Sequence, residues 1–174
     1  MEALVHRHHR PVFAYLFRLL GNRSAAEDLT QETFTRLISR ISQYRFPQPF
    51  KPWLYTIAHN LYKDYCKQSA NRATHLAAEP ISPGVAEPYD LSERIADRAE
   101  VISAVRTLDP QLQEVLLLRY YHDLKVAEIA AVVGAPSGTV KFRLFNSLQK
   151  LRRLLLGEGR QEHEAPGRRN RSGY

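Results

Sequence analysis

The chain has 174 residues, a formal net charge of +7 and a sequence pI near 9.7, which admits one ordinary domain or two small ones and suits a polyanionic partner. Its single cysteine, Cys66, excludes an internal disulfide and a multi-cysteine zinc site, and fits a reducing cytoplasm. No apolar run approaches the ~20 residues that span a bilayer. The basic segment His6, Arg7, His8, His9 and Arg10 lacks the apolar stretch and small-residue cleavage site of a secretory signal. A soluble, cytoplasmic protein without membrane insertion is expected.

Apolar residues recur at helical spacing almost throughout, and no period-two strand pattern is found. The first helix, over residues 1–20, carries Leu4, Val5, Val12, Phe13, Leu16, Phe17 and Leu20 on a broad face and ends at Gly21-Asn22. Ser24 with Glu27 has the spacing of a capping box for the second helix, whose inner stripe is Ala26, Leu29, Thr33, Leu37 and Ile41. After a loop with Pro47 and Pro49, Pro52 falls in the first turn of a third helix reaching Lys67, with Leu54, Ile57, Ala58 and Leu61 inward. Pro80, Pro83, Gly84 and Pro88 then break the periodicity, so residues 69–92 read as a flexible linker.

Charge marks the same division. Residues 1–70 carry a net of +5, residues 71–100 a net of −3, residues 101–156 a net of +4 and residues 157–174 a net of +1. Four helices are expected in the second basic block, over 93–107, 110–121, 125–133 and 137–155, with Asp109 and Pro110 as N-cap and first helical residue. Beyond residue 156 there is almost nothing to bury, and a disordered tail over 157–174 is expected. The predicted architecture is all-α: a helical domain over 1–68, a linker over 69–92 and a second helical domain over 93–156.

Within the second domain, residues 128–144 have the features of a helix-turn-helix. Ala130 is small where two helices cross, Gly134 ends the first helix in a left-handed conformation, Pro136 cannot continue it, Ser137 is an N-cap for the next, and Val140 points back to the core. At ~100° per residue, Val140, Leu144, Ser147, Leu151 and Leu155 share the buried side of that last helix. Gly138, Phe142, Phe145, Asn146 and Gln149 lie opposite, flanked by Lys141 and Arg143. Asn146 and Gln149 can pair with adenines, and a phenylalanine can pack on a thymine methyl; alternatively the two phenylalanines cover a neighbouring helix or bind protein. Ser137, Thr139, Arg119 and Lys125 complete the expected duplex-contacting set.

The first domain holds a second concentration of chemistry. Tyr44, Phe46, Phe50, Trp53, Tyr55, Tyr62 and Tyr65 place 7 of the chain's 17 aromatic residues within a 22-residue window, interleaved with Arg45, Lys51, Lys63 and Lys67. Aromatic faces stack on unpaired bases while cations follow the backbone, which suits single-stranded DNA; an aromatic core would give the same composition.

These blocks resemble the bacterial sigma factors of the extracytoplasmic function (ECF) type. The run from Ala25 to Phe34 (AAEDLTQETF) is similar to their region 2.1–2.2, that from Phe50 to Asn60 (FKPWLYTIAHN) to region 2.3, residues up to Lys67 to region 2.4, and Gly138 to Lys141 (GTVK) with its surrounding helix-turn-helix to region 4.2. The resemblance covers residues 4–156, in the family's order. It implies a subunit that binds core RNA polymerase and directs initiation at promoter DNA, with an anti-sigma factor as a further partner. It implies polymerase contact by Asp28, Gln31, Glu32 and Thr35, and contact of the minus-ten element, as opened single strands, by Trp53, Asn60, Tyr62, Lys63 and Lys67. The second domain would read the minus-thirty-five element as duplex. The family usually has Ser, often His and then Arg where this chain has Phe142, Phe145 and Asn146, and commonly Arg where His59 stands.

No phosphate loop or nucleophile–base pairing is present in the sequence, so no enzymatic activity, catalytic residue, cofactor or metal is expected. His6, His8 and His9 lack an acidic or cysteine ligand at suitable spacing. A stand-alone helix-turn-helix regulator is the alternative function.

Overall fold

A computed structural model describes residues 2–75 and 95–156, with side-chain surroundings for 3–70 and 101–156. All regular structure among them is helical: α1 (Glu2–Leu20), α2 (Arg23–Arg40) with a 3-10 turn at Ile41–Gln43, α3 (Phe50–His75), α4 (Ile95–Arg106), α5 (Pro110–Tyr120), α6 (Val126–Val133) and α7 (Ser137–Leu155). The all-α expectation holds. Much of the predicted linker, and the predicted disordered tail over 157–174, lie outside the described residues.

Helices α1 to α3 form a front lobe and α4 to α7 a rear lobe. Gly21, at φ +66°, closes α1 with its N–H donating to the Phe17 carbonyl at 2.9 Å. The next helix opens earlier than the sequence pattern suggests. Asn22, not Ser24, is its N-cap, and its side-chain oxygen accepts from the Ala25 N–H at 3.0 Å. Ala26, Thr33 and Leu37 are buried as expected, joined by Thr30 and Phe34; both threonine hydroxyls donate back to carbonyls one turn earlier, to Ala26 and Leu29 at 2.6 Å, so their burial leaves no unpaired donor. Helix α3 runs eight residues beyond Lys67. Residues 69–75, expected as linker, are helical because the first proline after Pro52 is Pro80, so nothing in between breaks the ladder.

In the rear lobe, Gly134 adopts φ +63° and ψ +38° and its N–H caps the Ala130 carbonyl. A Cβ at this position meets nothing within 4 Å, so substitution strains only the backbone. Gly134→Ala is therefore expected to lower unfolding stability by about 1–2 kcal/mol without repacking the core, and Gly134→Asn by less, measurable as a shift in urea midpoint at unchanged m-value. Ser137 is the first residue of α7 rather than its cap; Pro136 occupies the cap position, and no side chain hydrogen-bonds there. The expected inner face of α7 is otherwise kept, with Val140, Ser147 and Leu151 buried, while Leu155 at its end is exposed. Asp109 stands at the N-cap of α5, but its carboxylate is bound to the Lys150 ammonium instead of the helix N–H groups.

The lobes are packed against one another, a contact that two domains joined by a flexible tether do not require. Helix α5 meets α1, and α6 meets α3. At the centre, the Tyr15 hydroxyl donates to Glu114 Oε1 at 2.5 Å, and His59 Nδ1 lies 2.5 Å from the same oxygen. All three groups are buried. Around them, Gln113 Nε2 donates to the Arg18 carbonyl at 3.0 Å, Lys51 Nζ to the His122 carbonyl at 3.2 Å, and the Tyr55 hydroxyl shares a 2.7 Å hydrogen bond with His122 Nδ1. The Arg18 guanidinium sits 4.3 Å over the Tyr121 ring.

Candidate nucleic-acid interface

Helix α3 divides its side chains among three directions ~120° apart, following from ~100° per residue. Leu54, Ile57, Ala58 and Leu61 form the buried front-lobe face. Tyr55, His59 and Tyr62 form a second face directed at the rear lobe. The third face carries Trp53, half-buried, and the exposed Asn60, Lys63 and Lys67. Four of the five residues expected at single strands therefore share one side of a helix, outside the inter-lobe contact. Tyr62 does not join them. It is 9% exposed, on the side of His59 and Glu114, and burial is the main reason its hydroxyl titrates well above the usual phenol range. An offset of two residues from Asn60, or of one from Lys63, is enough to move a helical side chain to another face.

The aromatic block also splits. Tyr55 is core, whereas Tyr44, Phe50 and Trp53 form a mutual cluster with ring centroids 5.1 to 6.0 Å apart. The Tyr44 hydroxyl is tied to the Gln48 carbonyl, which holds the cluster against the loop that carries Phe46. Phe46 is 89% exposed. The block is thus divided between interior and surface: Tyr55 builds the core, Trp53 is half-buried and Phe46 is exposed. Of the amino-terminal histidines, His8 tilts against Phe50 and His9 stacks on Phe34. Among the described residues no group of three or more His, Cys, Asp or Glu could hold a metal ion.

On α2, Asp28, Gln31 and Thr35 are exposed and Glu32 is half-exposed, paired with Arg36 at 2.7 Å. Ile38, 48% exposed, continues the stripe. This is a polar face with an apolar end, opposite the helix's buried side.

Helix α7 presents Phe142, Phe145 and Gln149 outward, with Asn146 half-buried beside them and Lys141 exposed at its flank. Ser137 and Gly138 are exposed at its start, and Thr139 is half-buried. The surrounding cations differ in availability. Arg143 Nη2 donates to Gln111 Oε1 at 2.7 Å, and Arg119 Nη1 to the Leu124 carbonyl at 3.0 Å, which braces the turn into α6. Arg119, expected at the duplex, thus spends one N–H on the fold and keeps its charge and remaining donors. Lys125 keeps its ammonium at the surface while its backbone N–H donates to Glu128 at 2.7 Å.

The residues missed by sequence reading are Gln113, Glu114 and His122. One signal for them exists. Val115, Leu116, Leu117 and Leu118 follow one another around α5 and are all buried, and four consecutive apolar residues occupy the full helix circumference. Such a helix needs partners on more than one side, so a second packing surface beyond the rear lobe is implied.

Comparison with known proteins agrees with this organisation. The Sigma-70 region 2 model matches residues 4–72 and the Sigma-70 region 4 model residues 98–151. The ECF RNA polymerase sigma factor BldN of Streptomyces coelicolor is 36% identical over 152 residues, covering 86% of this chain and 58% of BldN; the chain thus spans under two thirds of that relative's length. RNA polymerase sigma factor CarQ of Myxococcus xanthus is 31% identical over 155 residues, covering 88% of each. The sigma factor RpoE from Bartonella quintana, solved in complex with the anti-sigma factor NepR, superposes with a TM-score of 0.80 at 19% identity over 89% of this chain and 96% of that one, which shows a shared fold. No described helix is long and apolar enough to cross a membrane. The chain belongs to the ECF sigma factors of the sigma-70 family.

Proposed function

We propose that this chain binds core RNA polymerase in the cytoplasm and directs it to promoters, the front lobe holding the minus-ten element as single strands and the rear lobe reading the minus-thirty-five element as duplex. The observation that carries this is the segregation of three unlike surfaces. A polar stripe on α2 suits a polymerase helix bearing basic residues. An aromatic and cationic side of α3 suits unstacked bases. An outward face on a helix-turn-helix suits the major groove. Capturing unstacked bases stabilises opened DNA by binding energy alone, so melting needs no catalytic group or nucleotide hydrolysis. A protein inhibitor of the anti-sigma type is part of the same proposal, with the exposed parts of α2 and α7 as the surfaces open to it. A stand-alone duplex-binding regulator has no use for the α2 stripe or the Trp53 cluster.

The test is reconstitution of purified chain with core polymerase, followed by start-site mapping of transcripts made from genomic DNA. Initiation at a defined set of promoters is expected; its absence at every promoter refutes the reading. The surfaces are separable. Asp28→Ala with Gln31→Ala is expected to weaken core binding about ten-fold, the ~1.4 kcal/mol that one or two interface polar groups supply. Lys141→Ala is expected to leave core binding intact and to reduce the salt dependence of promoter binding by about one phosphate contact. Loss of core affinity in the Lys141 variant counts against this division.

A further inference from the structure

The outward face of α7 is apolar where a groove-reading helix usually presents hydrogen-bonding groups. Phe142 is 65% and Phe145 60% exposed, and they stand one turn apart on the amino-terminal half of the helix. Neither ring takes part in an aromatic contact among the described residues. A Cβ added at Gly138 would meet no atom of the described residues within 4 Å. Meanwhile Arg143 donates to Gln111, and Lys150 pairs with Asp109.

We infer that Phe142 and Phe145 are specificity-determining residues that read the C5-methyl groups of thymines in the upstream duplex element. The inference rests on the promoter-binding reading above and names the chemistry that the rear lobe recognises. In the major groove the thymine methyl is the one apolar feature of a base-pair edge, and an aromatic side chain is among its natural partners. Side chains at i and i+3 have Cβ atoms ~5–6 Å apart, against ~3.4 Å between stacked base pairs, so the two rings address positions one or two steps apart. Asn146, half-buried beside Phe142 and Phe145, is suited to the adenine of an A·T pair. An exposed aromatic pair over a protein partner is the competing use, and it makes no demand on base methyls.

The experiment uses holoenzyme assembled from the full chain and core polymerase, on a promoter taken from the start-site map. Each thymine of the upstream element is replaced singly by deoxyuridine, which removes the methyl and keeps every hydrogen-bonding atom. One or two positions are expected to lose about three- to five-fold in promoter affinity, the effect of withdrawing one buried methyl. Phe142→Ala and Phe145→Ala are each expected to abolish the thymine–uracil difference at one of those positions. Both side chains are largely exposed, so the variants should fold, and the uracil series needs no variant at all. If no uracil template is weaker while holoenzyme still initiates at this promoter, the inference is overturned and the sigma reading stands. It is overturned equally if the phenylalanine variants lose the same affinity on thymine and uracil templates. Failure to initiate at any promoter overturns both the inference and the promoter-binding reading beneath it.

Discussion

Replacing Glu114 with alanine should part the two lobes while leaving each of them folded. The carboxylate is the shared acceptor for Tyr15 from α1 and lies against His59 from α3, and all three groups are buried. Truncation leaves two buried polar groups without a partner. An unsatisfied buried donor costs ~1–3 kcal/mol, whereas opening the interface returns both groups to water. A shift of about 3 kcal/mol, or two powers of ten, toward separated lobes is therefore expected. Small-angle scattering should show a larger radius of gyration for Glu114→Ala, and hydrogen exchange should speed up along α5 and the His59 side of α3. An apolar triple variant, Glu114→Leu with Tyr15→Phe and His59→Leu, should stay compact, because no polar group is then stranded. If Glu114→Ala remains as compact as the parent chain, the carboxylate does not hold the lobes together.

The consequence for DNA binding lies in the geometry of α3. Closing the lobes covers Tyr55, His59 and Tyr62 but leaves Asn60, Lys63 and Lys67 at the surface. Tyr62, the fifth residue expected at single strands, is buried in this arrangement on the His59 side of the helix. Whether a residue of α3 is buried or exposed thus follows from helix register, with Tyr62 inward and its neighbour Lys63 outward.

Local patterns are legible in the sequence to the extent that they depend on helical spacing. Leu54, Ile57, Ala58 and Leu61 are inward, Val140 and Ser147 are buried, and Gly134 is left-handed, all from periodicity and turn chemistry alone. The caps are less legible. Asn22 and Ser24 are both good capping residues, and only the backbone turn at Gly21 selects the first. Least legible is everything that depends on one lobe meeting the other. Glu114 reads as an ordinary helix-surface carboxylate, and its partners are 99 and 55 residues away in the chain. His59 is a similar case: it fills a position where the family commonly has arginine, and its role becomes visible only with Glu114 beside it. On α7 the outward orientation of Phe142 and Phe145 follows from helical spacing, but which neighbouring cations are already occupied depends on side chains of α5 and cannot be read from α7 itself.

Acidification should weaken the closed arrangement through His122. Its imidazole is 6% exposed, tilted against the Tyr55 ring with centroids 4.6 Å apart and set edge-on to Tyr15, with Nδ1 on the Tyr55 hydroxyl and Nε2 without a hydrogen-bond partner. Burial first, and then the positive charges of Arg18 and Lys51, lower its pKa from 6.5 to about 3. A base whose pKa falls on folding binds more protons when unfolded, so stability rises with pH between the two values. The neutral ring's full contribution is present above about pH 6.5 and is lost progressively as pH falls toward 3. Between pH 7.5 and 5 the loss is on the order of 2 kcal/mol from this group alone. To isolate this one group the measurement is a difference: urea unfolding of the parent chain and of His122→Gln, each at pH 7.5, 6 and 5. Glutamine retains a hydrogen bond for Tyr55 and does not titrate, so the variant should lose less stability on acidification, and the gap between the two proteins should narrow by roughly that amount. Parallel pH profiles would mean that His122 either stays solvated or takes up its proton without opening the interface.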